Sequence, residues 1–226
     1  MSVSNVIAID GPAASGKSTI ARLLAKRLSI PYLSTGSMYR ALTWHAMNSG
    51  IDTENPNEDA LEKLLSKTSL EYIQAPDGQF DIVVNGVLPG AMLRSPEIAA
   101  HVSRIAALPL VRNWLLDRQR KLAEMGLIVM EGRDIGTVIF PAARHKFFLT
   151  ASPLVRAKRR LAQDGETPDG ATIATVAAEI AKRDELDMNR PIAPLKQAPD
   201  AILVDSSEMD IEEVISLILE KIRANS

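Results

Sequence analysis

The run Val6-Ile7-Ala8-Ile9, then Asp10, then Gly11-Pro-Ala-Ala-Ser-Gly-Lys-Ser18, constrains this chain more than any other stretch of it. Four successive apolar residues ended by glycine and proline read as a strand covered on both faces, which places it inside a parallel sheet. A helix follows at once: Ile20, Leu23, Leu24 and Leu28 form its apolar stripe, with Arg22, Lys26 and Arg27 on other faces. Between the two lies G-x-x-x-x-G-K-[ST], in the strand-to-helix context that gives this pattern its meaning. Small residues let successive backbone N–H groups turn inward around a phosphate, and the helix start adds unpaired donors and the positive end of its dipole. Gly11, Pro12, Ala13, Ala14, Ser15, Gly16, Lys17, Ser18 and Thr19 are therefore the expected cradle for a nucleoside triphosphate. Lys17 supplies a point charge to the outer phosphates, and the Ser18 hydroxyl is the expected Mg²⁺ ligand.

Similar short apolar runs recur at Tyr32-Leu33, Leu127-Ile-Val-Met130, Lys146-Phe-Phe-Leu149 and Ala201-Ile-Leu-Val204, each separated from the next by helical pattern. The interleaving predicts an α/β fold, with a five-stranded parallel sheet flanked by helices. Ser95-Pro96 and Ser152-Pro153 place a capping hydroxyl before a first-turn proline, and Asp210 with Glu213 has the spacing of a capping box. Gly50 and Gly126 look like helix stops. One segment breaks the rhythm: Leu70–Ile73, Pro76-Asp77-Gly78, Phe80–Val84, Asn85-Gly86 and Val87-Leu88 read as a small antiparallel meander. Residues 63–95 are thus expected as an insertion in a single domain spanning 1–226. The irregular stretch Asp164–Gly170 joins two helices among Arg156, Arg159, Arg160 and Arg183, so residues 156–185 are the expected lid.

At 226 residues and 46% hydrophobic composition, the chain can bury one sizeable core. A net charge of −2 gives no global attraction for nucleic acid or anionic membrane, so anion binding must come from locally grouped cations. There is no cysteine, which removes disulfides, thiolate nucleophiles and thiolate metal sites and suits a reducing compartment; a cytoplasmic location is expected. No apolar run approaches the ~20 residues of a membrane span. The strings N-K-x-D and D-x-x-G of guanine-nucleotide switches are absent, as is an LSGGQ-like signature, which leaves a small kinase. His45, His101 and His145 have neither metal nor triad spacing.

Four more segments line up with the glycine-rich turn: Ser-Thr-Gly-Ser-Met-Tyr-Arg-Ala (34–41), Ser-Arg-Ile-Ala-Ala-Leu-Pro-Leu-Val-Arg (103–112), Glu-Gly-Arg-Asp-Ile-Gly-Thr-Val-Ile-Phe-Pro (131–141), and Lys182 to Leu195. In order and over essentially the whole chain they resemble the bacterial cytidylate kinases. The resemblance implies the P-loop nucleoside monophosphate kinase fold, with the insertion as an enlarged monophosphate-binding part and a short helical lid. It implies ATP as phosphoryl donor, Mg²⁺, and CMP or dCMP as acceptor, in a chain that works as a monomer without nucleic-acid or membrane partners. Glu131 departs from the aspartate that many members carry there; either carboxylate can help to order Mg²⁺ through water.

The same residues make chemical sense. Phosphoryl transfer between two nucleotides needs positioning and charge neutralisation more than covalent work, so cations must converge. Arg40, Arg133 and Arg190 lie in segments near strand ends, where open α/β sheets gather ligands, and the resemblance puts them on the acceptor phosphate together with Thr35. Cytosine offers acceptors at O2 and N3 and a donor at N4; Ser103, Arg112 and Asp134 supply the complementary set. Ser103 and Arg112 could instead only decorate helix ends. Asp187 can accept from ribose hydroxyls with Arg183 nearby, although Arg183 and Asp187 also have the spacing of an ordinary helical ion pair. Lys17, Arg133, Arg156 and Arg160 are the expected catalytic cations, the last two carried by the lid over the transferring group; a basic helix face in solvent is the plainer account of that pair. A kinase for another small metabolite and a non-catalytic ATP-binding module remain open.

Overall fold

The computed structural model describes residues 4–76, 78–163, 167–168 and 170–224. The strands are β1 (Ser4–Asp10), β2 (Tyr32–Ser34), β3 (Leu70–Gln74), β4 (Phe80–Val84), β5 (Ile128–Gly132), β6 (Ala143–Thr150) and β7 (Ile202–Asp205). Five of them form one parallel sheet in the order β2-β5-β1-β6-β7. The period-2 geometry of β1 accounts for its unbroken apolar run. Val6 and Ala8 pack on one face with Leu33, Ile128, Met130, Ile135 and Ile139. Ile7 and Ile9 pack on the other with Ile20, Leu24, Phe147, Leu149, Val214 and Ile218. Each face has a helical layer, so neither parity of the strand can be polar.

The helices are α1 (Lys17–Leu28), α2 (Thr35–Asn48), α3 (Glu58–Leu65), α4 (Pro96–Ala107), α5 (Pro109–Lys121), α6 (Pro153–Leu161), α7 (Ile173–Asn189) and α8 (Ile211–Ala224). Their starts follow local chemistry. The Ser95 and Ser152 hydroxyls accept from Ile98 N–H and Val155 N–H, each ahead of a first-turn proline. Asp210 and Glu213 exchange side-chain and backbone hydrogen bonds at 2.9 and 2.8 Å. The α4–α5 junction is the single residue Leu108, because Pro109 disfavours helical geometry in the residue before it.

Residues 63–95 contain the end of α3, the antiparallel pair β3–β4 and the 3-10 turn Gly90–Arg94. Leu70, Ile82 and Val84 join Met38, Leu42, Leu61, Val102, Ile105 and Leu115 in a core of their own. The expected third strand at Val87-Leu88 does not form; a single bridge from Val84 to Val87 replaces it. Asn85 and Gly86 both take positive φ, 49° and 77°, closing a tight turn, and Pro89 then offers no N–H to continue a ladder. In the main sheet, Leu127 stays outside β5 and 46% exposed, whereas the strand runs on to Gly132. The expected lid, 156–185, holds most of α6 and α7. Asp164, Gly165, Glu166 and Asp169 of its irregular stretch, and Asp77 of the hairpin turn, lie outside the described residues. Among the described residues, no helix is long and apolar enough to cross a membrane.

Candidate active site

The turn between β1 and α1 stands at the carboxyl end of the central strand. Gly11 is required by close approach: a Cβ there would lie 2.0 Å from the Leu149 carbonyl oxygen. Gly16 has φ 92° and caps α1, whose start carries neither a side-chain cap nor an acidic residue in its first turn. The helix dipole and its free N–H groups are therefore left for an anion. Lys17 donates to the Pro12 carbonyl at 2.6 Å and to the Ser15 hydroxyl at 3.3 Å. Burial, with the nearby Arg133 and Arg183, pulls its ammonium down to about 7, against an opposing pull from Glu131.

The turn is braced from behind. Ala13 N–H donates to Asp184 at 2.9 Å, and Asp184 pairs with Arg156. Arg156 also donates to the carbonyls of Ala13 and Ala151, both at 3.1 Å. Arg159 donates to the Ser15 carbonyl at 3.1 Å and to both oxygens of Ser206. Carbonyls that would repel a phosphate are thus turned toward guanidinium groups on α6. Arg156 is buried in this brace and does not line the cavity, whereas Arg160, four residues on, does.

One cavity of about 990 Å³ runs from the glycine-rich turn to the hairpin. It brings together Ser18, Thr19, Thr35, Arg40, Ser103, Arg133, Asp134, Arg160, Arg183, Asp187 and Arg190. Gly11, Pro12 and Arg112 stand behind its wall. Burial depresses Arg40 to about 10, with further repulsion from Arg160 and Arg133. Burial and Arg183 bring Arg160 to about 10. Burial, Arg133 and Arg40 bring Arg183 to about 9, and its Nε has no hydrogen-bond partner. All three remain charged at neutral pH, so the site holds cations that repel one another. That arrangement suits a polyanion.

The acidic groups are placed against particular cations. Asp187 accepts from Arg133 Nε at 2.9 Å and has Arg190 at 3.8 Å. Several arginines, Arg133 foremost, hold its carboxyl below the usual range against the opposing effect of burial, which is the largest single influence. Arg133, not Arg183, is its hydrogen-bond partner. Asp134 lies between Arg112 and Arg190, the latter at 3.3 Å. Arg40 donates to the Leu93 carbonyl at 2.8 Å, tying α2 to the Gly90–Arg94 turn. Glu131 accepts from Ser18 Oγ at 3.1 Å and from Ser34 Oγ. Among the described residues, no group of three or more acidic or histidine side chains could hold a metal by itself. One hydroxyl with one nearby carboxylate is, however, the donor set of an ion bound mainly through phosphates and water, so Ser18 and Glu131 fit Mg²⁺.

Two functional groups escaped the sequence reading. Asp184 answers to Ala13, 171 residues away, and nothing in local spacing reveals that. Asp10 accepts from Ile135 N–H and Gly136 N–H, both at 2.8 Å, and fastens the Gly132–Gly136 turn to the end of β1. Burial raises its carboxyl to about 7 despite those bonds. The only signal was an acidic residue at the end of an apolar strand.

A family model described as cytidylate kinase matches residues 7–224. Cytidylate kinases of Carboxydothermus hydrogenoformans and Geobacillus kaustophilus are 45% and 46% identical to this chain over 214 residues. The alignments cover 95% of this chain and 95% and 94% of theirs. A crystal structure of an uncharacterized protein from Eubacterium ventriosum shares the fold at TM-score 0.54 and 16% identity, over 97% of this chain and 98% of that one.

Proposed function

Since the chain belongs to the cytidylate kinase family, we propose that it transfers the γ-phosphoryl group of ATP to CMP or dCMP, giving ADP and CDP or dCDP. The observation that carries the reading is the gathering of Lys17, Arg40, Arg133, Arg160 and Arg183 along one cavity that opens on the glycine-rich turn. Such a surplus of charge suits two phosphate chains meeting end to end.

The triphosphate lies against the backbone amides of residues 14–19, with Gly11, Pro12 and Ala13 shaping the turn behind them and the Lys17 ammonium on its outer phosphates. Mg²⁺ supplies charge neutralisation to the phosphates when bound, held by the Ser18 hydroxyl and ordered by Glu131. Arg40, Arg133 and Arg190, with Thr35, receive the acceptor phosphate; Arg133 bridges toward the transferring group. Arg160 approaches that group from the donor side as 156–185 closes, while Arg156 keeps the turn rigid through Asp184. Asp187 and Arg183 hold the ribose. Asp134 accepts from the cytosine amino group and Ser103 donates to a ring acceptor, while Arg112, behind the wall, pairs with Asp134 and holds it toward the base. Uracil would present a carbonyl oxygen to Asp134, an acceptor facing an acceptor. No general base is required, because the acceptor phosphate is already anionic at neutral pH. Residues 63–95 act as the monophosphate-binding part. The chain acts as a monomer in the cytoplasm, where both nucleotides are available.

Release of ADP, followed in a coupled assay over all nucleoside monophosphates, tests this reading. CMP and dCMP are expected to be the leading acceptors. Turnover of some other metabolite with none of CMP would overturn it.

A further inference from the structure

Phosphoryl transfer leaves unused a polar contact between the inserted hairpin and the main sheet. Tyr72, in the middle of β3, donates its hydroxyl to the Ser34 carbonyl at 2.6 Å, across 38 residues of chain. The two-residue period of β3 turns Leu70 and Tyr72 inward and leaves Glu71 and Ile73 exposed. The Tyr72 ring packs against two cores at once: the one that joins the hairpin to α2, α4 and α5, and the one on the face of the sheet formed by β2, β5 and β1. Burial, reinforced by the nearby Glu131 carboxylate, pushes its phenol far above the ordinary value, so the hydroxyl stays a donor.

Ser34 is itself a junction. It ends β2 and caps α2, its hydroxyl accepting from Ser37 N–H at 3.3 Å and donating to Glu131 Oε1. The same carboxylate oxygen accepts from Ser18 Oγ at 3.1 Å and has the Tyr32 hydroxyl at 3.5 Å. Every hydrogen bond that the Glu131 side chain accepts from the described residues therefore falls on Oε1, which fixes that oxygen between β2 and the start of α1. The route Tyr72–Ser34–Glu131–Ser18 thus runs from the hairpin to the glycine-rich turn in three direct contacts. A phenylalanine at 72 would pack equally well, and only the hydroxyl completes this route.

We propose that Tyr72 is a positioning residue that couples the two nucleotide sites, fastening the inserted hairpin to the Ser34–Glu131–Ser18 route so that occupation of one site steadies the other. A triphosphate on the glycine-rich turn fixes Ser18 and, through Glu131, fixes Ser34. The Ser34 carbonyl then holds Tyr72, and with it the hairpin, where an acceptor needs it. The second nucleotide meets a site already ordered, which is cooperativity without any contact between the ligands. Linkage requires the acceptor to favour the donor by the same factor.

The inference rests on the proposed binding of ATP and CMP along this cavity, and two measurements separate its failure from that of the reading. Calorimetry gives the factor by which a non-hydrolysable ATP analogue with Mg²⁺ tightens CMP binding, in the natural protein and in Tyr72→Phe, which keeps the ring. The natural factor is expected to be about tenfold or more. The factor in Tyr72→Phe should be about fivefold smaller, the scale of one hydrogen bond, with each nucleotide alone binding within about twofold of the natural affinity. A partly unfolded variant gives a larger factor instead, because the first nucleotide then folds the site for the second. Amide hydrogen exchange supplies an arm without CMP: the analogue alone should slow exchange in residues 70–74 of the natural protein and leave it unchanged in Tyr72→Phe. Ser34→Ala breaks the next link and should behave like Tyr72→Phe in both measurements; it decides if Tyr72→Phe does not fold. The same coupling factor in the natural protein and the variant, or no slowing in the natural protein, overturns the proposal. Slowing that depends on Tyr72 in a protein that does not bind CMP upholds the coupling and overturns the reading of the acceptor.

Discussion

The two ends of the cavity are built on opposite principles. The glycine-rich turn is braced from behind, Ala13 by Asp184 and Arg156, Ser15 by Arg159 and Lys17 by the Pro12 carbonyl, while the N–H groups at the start of α1 stay free. Along the rest of the cavity Arg40, Arg160 and Arg183 are depressed by burial and by neighbouring arginines, and the Nε of Arg183 is unpartnered. A cradle of amides carries only partial charges, so the fold can complete it in advance. Where guanidinium groups crowd together, the fold holds them against their mutual repulsion, relieved in part by Asp187 and by the Leu93 carbonyl. The proposed donor end is therefore braced in advance, and the proposed acceptor end retains a repulsion that a bound anion would relieve.

The sharpest break in this contrast comes from Lys17→Met, which keeps the stem and removes the charge. Turnover should fall by about a thousandfold or more, the scale of losing a preorganised charge at a transition state, while thermal melting without nucleotide stays level or rises. Unfolding would show that the lysine serves the fold.

Arg133→Ala is next. A loss of about a hundredfold in kcat is expected, with ATP affinity, read by calorimetry, within about threefold. Equal losses in both would place Arg133 on the donor.

Proton uptake follows from the depressed Lys17. Its folded value of about 7 means the free protein is mostly uncharged there at pH 8, and a bound triphosphate restores the charge. ATP binding at pH 8 should take up about one proton, seen as a dependence of the binding heat on the ionisation enthalpy of the buffer. ATP affinity should fall as pH rises above 7. Heats that are the same in every buffer would contradict the assignment.

The smallest effect concerns stability at the acceptor end. Arg183→Met removes one repelling cation and retains the packing of its stem, so the nucleotide-free protein should melt about 2–4 °C higher, equivalent to about 1 kcal/mol, and bind CMP less tightly. The gain should shrink in high salt, which screens the charges it relieves. A lower melting temperature would mean that Arg183 is already neutralised.

How far the sequence could be read depended on how local each cause was. The strand–turn–helix of residues 6–28 is contiguous, so its alternating burial, its glycines and its lysine could all be recognised together. The serine caps ahead of Pro96 and Pro153 depend on three or four neighbouring residues. The third strand expected at Val87-Leu88 does not form, because the tight turn at Asn85-Gly86 and the missing N–H of Pro89 leave room for one bridge alone. Within 34–41 and 131–141 the polar residues were legible as candidate site residues.

Taken alone, the order of residues determined the parallel sheet, the phosphate cradle and the set of arginines available to it, because periodicity, turn chemistry and residue type act over a few positions. Only the tertiary structure decided where each arginine points. Arg156 and Arg160 are one helical turn apart on α6, yet the first is spent on Asp184 and on Ala13, 143 residues earlier, and the second lines the cavity. Helical propensity treats the two alike. A guanidinium group is directed by whichever carboxylate or carbonyl the folded chain brings within reach, and that partner has no fixed separation along the sequence.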